Sequence, residues 1–137
     1  MRFSGKIKKM VATAAVTAAM LAVGSASANA ALNFSHSTTG GYMSGSAQFE
    51  PRSNHQGAFH FWGTLVDNVR EGQRMYQQVK VMGYGYNTYY APKDANQYLN
   101  WFVWDGAALQ TDYARARICR DVPFWPDNCS AEKYYHR

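Results

Sequence analysis

Bulky apolar side chains recur at every second position along most of this chain, a period that strands satisfy and helices do not. Residues 58–66 place Phe59, Phe61 and Leu65 on one face. Residues 75–86 set Met75, Val79 and Val81 against Tyr76, Lys80, Tyr84 and Tyr86, and residues 111–119 set Ala114, Ala116 and Ile118 against Tyr113, Arg115 and Arg117. Residues 98–104 are bulky on both faces, with Trp101 on one and Phe102 and Trp104 on the other. A last short strand is expected over 133–136. Turn residues separate these runs: Asp67 to Gly72, then a loop over 87–97 holding Pro92 and Asp94, then Asp105-Gly106. No segment beyond residue 30 shows a helical stripe. Six or seven short strands at this spacing predict an all-β fold, a small antiparallel β-sandwich.

The first thirty residues stand apart from that pattern. Arg2, Lys6, Lys8 and Lys9 precede an Ala-rich apolar run over 10–23, and residues 25–30 end in a small-x-small pattern. The run holds about 14 apolar residues, short of the roughly 20 a spanning helix needs. Residues 1–30 therefore read as a cleaved secretory signal, which predicts a secreted, extracellular chain with no membrane span after cleavage. The four basic residues of that signal leave with it. The remainder holds ten basic and nine acidic residues, so the chain is close to neutral rather than basic. No basic run survives, and nucleic acid is not an expected partner.

About 107 residues remain after such a cleavage, enough for one small domain. Within them residues 31–45 are rich in Ser, Thr and Gly and read either as a first strand plus turn or as a flexible N-terminal arm. Residues 46–137 form the sandwich domain. Cys119 and Cys129 are the two cysteines of the chain, and in an exported protein they predict a structural disulfide.

Signs of catalysis are sparse. Gly41-Tyr42-Met43-Ser44-Gly45 resembles a nucleophile elbow only on the surface, because no strand-to-helix junction is expected there. The histidines have no recognised zinc spacing, and the aspartates sit beside turn residues where they cap local backbone. A non-enzymatic chain with no metal and no cofactor is the expectation.

Aromatic clusters are the stronger signal. Tyr84, Tyr86, Tyr89 and Tyr90 form one group, and Phe102 and Trp104 with Trp101 form a second. A sandwich buries only one face of each sheet, so one of these sets should be partly exposed. The third group is Phe124 and Trp125, flanked by Pro123 and Pro126 inside the Cys119–Cys129 loop. Two prolines and a bridge stiffen that loop, which leaves two readings: an aromatic plug for the open end of the sandwich, or a pre-ordered anchor for a partner.

The string Cys119-Arg120-Asp121 followed by Pro126-Asp127-Asn128-Cys129-Ser130 resembles a group of small secreted actinobacterial β-sandwich proteins. The likeness covers the final third of the chain. Some members of that group look like adaptor subunits of secreted antibacterial toxin particles, in which an N-terminal arm threads into a partner. The resemblance implies an extracellular protein partner. Read from the residues alone, the alternatives are a carbohydrate or cell-wall-binding module, with Tyr and Trp rings stacking on sugars, and a secreted inhibitor or small toxin.

Overall fold

In the computed structural model, which describes residues 30–104, 106 and 110–137, the chain forms two antiparallel sheets face to face. The signal reading on 1–30 and the Asp105 half of the expected turn lie outside the described residues, apart from Ala30 itself. The first sheet holds β1 (Leu32–Asn33), β2 (His36–Thr38), β3 (Gly41–Phe49), β4 (Phe59–Asp67) and β7 (Gln97–Val103). Its order is β1-β3-β4-β7, with β2 pairing on the same edge of β3 as β1. The second holds β5 (Met75–Val81), β6 (Asn87–Tyr90), β8 (Tyr113–Arg120), β9 (Asn128–Cys129) and β10 (Lys133–His136), in the order β10-β8-β5-β6, with β9 also on β8. Seven of these strands have four residues or more, within the six or seven expected.

The core forms where the alternating faces meet. Phe59, Phe61, Leu65 and Met43 point inward from the first sheet, and Met75, Val79, Val81, Ala114, Ala116, Ile118 and Tyr135 from the second. Gly45 and Gly63 lie opposite each other on β3 and β4. A Cβ on Gly45 would fall 2.1 Å from the Trp62 carbonyl oxygen, so this crossing requires glycine.

The N-terminal segment is the main point at which the expectations were open. It takes the strand alternative: β1 and β2 pair with β3, and Phe34 between them is wholly buried. The Phe34 ring lies 4.9 Å from Phe61 and 5.5 Å from Tyr135, bridging the two sheets. Burial of one phenyl ring is worth about 2–3 kcal/mol, enough to hold so short a segment down. A boundary at residue 45 would cut β3 in half.

Two other expectations are corrected. The strand foreseen over 75–86 stops at Val81, because Gly83 takes a left-handed φ of 80° and Tyr84 N–H donates to the Val81 carbonyl in a turn. The loop foreseen from residue 87 instead opens with β6, which Asn87, Thr88, Tyr89 and Tyr90 form by pairing with Val79, Gln78, Gln77 and Tyr76. Polar residues at the edge of a sheet hid this strand from the apolar period.

Candidate functional site

Cys119 lies in the buried run that closes β8 at Arg120, and the chain then leaves the sheet and returns one turn later as β9. Cys119 and Cys129 stand directly opposite in that pairing and are disulfide-bonded, which pins both ends of the excursion. Asp127 organises the inside of the loop. One of its carboxylate oxygens accepts from Val122 N–H at 3.1 Å, and the other accepts from the Tyr76 hydroxyl. Burial, reinforced by that carboxylate, pushes the Tyr76 hydroxyl far above its ordinary pKa, so it remains a donor. Trp125 N–H donates to the Val122 carbonyl at 3.3 Å, and Asp121 N–H donates to the Arg74 carbonyl at 2.9 Å. The Arg74–Asp121 ion pair at 3.3 Å is half exposed and adds little by itself.

What this scaffold presents is apolar. Phe124 is 103 % exposed and Trp125 is 75 % exposed. Of the two readings of the loop, the plug is therefore excluded: neither ring closes the sandwich. Phe124 also has a φ of 65°, in the left-handed region that a residue with a Cβ occupies at a cost of about 1 kcal/mol. Its fully solvated ring offsets none of that cost. Backbone strain of this kind, over-determined by surrounding bonds, collects where a surface must hold one shape for a ligand.

The remaining aromatic candidates separate into different places. Tyr90 is at the base of the loop, with Arg74 over its ring at 4.3 Å and Tyr76 at 5.2 Å. Tyr89 turns inward, 5.3 Å from Phe61 and 5.1 Å from Trp101, and burial pushes its hydroxyl up to about 12. Tyr86 lies on the outer face of the second sheet under Arg117, and Tyr84 is half exposed in the β5–β6 turn. Phe102 and Trp104 lie on the β6–β7 side, where they share a recess with Tyr89.

One arrangement escaped the sequence reading. The buried Glu50 carboxylate accepts from Gln48 at 2.7 Å and Asn54 at 2.8 Å, and His60 Nδ1 lies 2.9 Å from it. His60 Nε2 lies 2.7 Å from Asn100 Oδ1. Burial pushes the Glu50 carboxyl up, but these hydrogen bonds outweigh it and hold the carboxyl below its usual range. Phe102 is stacked between His55 at 3.7 Å and His60 at 4.0 Å. The cluster clasps the loop after β3 onto the first sheet. Its members are spread over fifty residues, and no local spacing in the sequence announces it.

Among the described residues no group of three or more His, Cys, Asp or Glu side chains is placed to hold a metal ion. No described helix is long and apolar enough to cross a membrane. Comparison with protein-family models, with curated protein sequences and with solved structures finds no match.

Proposed function

We propose that this chain is a secreted, non-enzymatic protein-binding module that docks on an extracellular protein partner through the Phe124–Trp125 tip. The observation that carries this reading is the exposure of two large rings on a loop fixed by a disulfide and by Asp127. Interface energy concentrates in a few aromatic anchors that fill pockets on the partner. Anchors held in place before binding lose little conformational entropy on docking, so more of their burial appears as affinity.

An adaptor role in an extracellular complex fits this arrangement, with one change from what the resemblance implied. The N-terminal residues are paired into the first sheet, and the contact is assigned to the disulfide loop instead. The test is alanine replacement of Phe124 and Trp125, scored by partner capture. Loss of capture at unchanged thermal stability is the expected result. Retained capture would refute the assignment.

A further inference from the structure

β6 and β7 are the end strands of their two sheets, and they lie on the same side of the sandwich. Between them runs a cleft of about 400 Å³, within the range of roughly 300–1,000 Å³ typical of ligand sites. Its walls include Thr88, Tyr89 and Tyr90 from β6 and Gln97, Tyr98 and Trp101 from β7. A smaller recess of about 180 Å³ continues it, sharing Tyr89 and adding Asn87 and Trp104. No residue of the disulfide loop lines either one.

Two properties of this cleft are unusual for the edge of a sandwich. Natural edge strands are guarded by charge or proline, yet neither Asn87–Tyr90 nor Gln97–Val103 contains a charged residue or a proline. Two of the rings are also fixed from behind. Tyr89 packs edge-on against the core residue Phe61, and Trp101 packs on Tyr89 at 5.1 Å and 32°. Trp101 is nonetheless 49 % exposed, and Tyr98 and Trp104 are exposed to a similar degree. The cleft thus offers the supported, half-exposed Trp101 ring and the exposed Tyr98 and Trp104 rings beside neutral amides and a hydroxyl.

We infer that this cleft binds a neutral polysaccharide chain. A pyranose ring has an apolar C–H face that stacks on Trp or Tyr, and hydroxyls around its rim that match the side chains of Gln97, Asn87 and Thr88. The walls carry no charged side chain, which matches an uncharged ligand, and the Arg74 guanidinium that stacks on Tyr90 is already paired with Asp121. A peptide strand fits less well. Added to β7, it would extend the first sheet outward and leave unused the Tyr89 and Trp101 rings that face between the sheets. The inference is independent of the docking loop. Together the two surfaces would let one small module hold a protein against a glycan.

Affinity electrophoresis of the purified protein in native gels containing soluble mixed-linkage β-glucan, xylan or glucomannan tests it. The wild type runs beside Trp101→Ala, Tyr98→Ala and the double variant Phe124→Ala/Trp125→Ala. The expected result is retardation of the wild type by at least one polysaccharide. Either cleft variant should then bind about tenfold more weakly, the equivalent of one lost stacking contact. The loop double variant should bind as the wild type does. Tyr98 is an exposed side chain, so its variant remains informative if Trp101→Ala fails to fold. No retardation in any of the three gels would overturn the inference, as would retardation that both cleft variants retain.

Discussion

The Tyr76 hydroxyl, on a central strand of the second sheet, donates to the Asp127 carboxylate fifty-one residues further along. That single bond ties the exposed loop to the outer face of the second sheet. Asp127 also caps Val122, so the position of the aromatic pair is set from the second sheet beneath it and not by the loop alone. Tyr76→Phe keeps the ring and removes the donor. A hydrogen bond to a charged group is worth about 1.5–3 kcal/mol, and the variant should lose an amount in that range in urea denaturation. Faster amide exchange at Val122 and Trp125 should accompany the loss.

Phe124 occupies a left-handed backbone conformation with its ring in solvent. Phe124→Gly should therefore raise stability, by about 0.5–1 kcal/mol in a denaturant midpoint, while weakening partner capture. A residue that lowers stability and raises binding is the signature of a site maintained for a ligand. A destabilised glycine variant would contradict the strain argument.

The disulfide closes a loop ten residues apart in sequence. Replacing both Cys119 and Cys129 by Ser should cost about 2.5–3 kcal/mol by the chain-entropy estimate. The folded remainder of such a variant should capture its partner poorly, because the anchors are no longer held. Thermal denaturation paired with a binding assay separates the two effects.

His36 is buried beside Tyr135, and burial, helped by the Lys133 charge, lowers its pKa from 6.5 to about 4. The unfolded chain then binds the extra proton first, so stability is full above pH 6.5 and falls as pH drops towards 4. The loss on that side is on the order of 3 kcal/mol. Glu50 acts lower. Its carboxyl is held below 4.5, so its contribution is present above that value and is lost as pH falls further. Urea midpoints measured from pH 7 to pH 3 should show the first decline, and His36→Phe should remove it while leaving the second.

Phe34 makes the first strands part of the core. Phe34→Ala should cost about 3–5 kcal/mol. Deleting residues 31–45 should leave no cooperative unfolding transition, because it removes β1, β2 and half of β3. A folded deletion variant would revive the flexible-arm alternative.

The strands that carry the core were legible because Phe59, Phe61 and Leu65, or Ala114, Ala116 and Ile118, write the period of a sheet directly into the chain. β6 was not legible: Asn87, Thr88, Tyr89 and Tyr90 pair through backbone at an edge, where side chains need no apolar rhythm. β1 and β2 were ambiguous for a related reason, since Ser and Gly dominate and one buried Phe34 does the anchoring. The disulfide followed from there being two cysteines in a chain whose first thirty residues read as an export signal. Whether Phe124 and Trp125 plug the sandwich or leave it depends on the path of a loop, which Asp127 and Tyr76 set through contacts distant in sequence. The cleft between β6 and β7 depends on which strands end up at the edges, and only topology decides that. Its charge-free lining was present in the sequence as the uninterrupted neutral run from Gln97 to Trp104.

The most direct measurement is affinity capture of tagged protein from the culture supernatant of the producing organism, with mass spectrometry of what co-elutes. The wild type is run beside the double variant Phe124→Ala/Trp125→Ala. The prediction is one or a few proteins at near-equal stoichiometry with the wild type and none of them with the variant. The same proteins retained by both, or no protein recovered with either, would contradict docking through the disulfide loop.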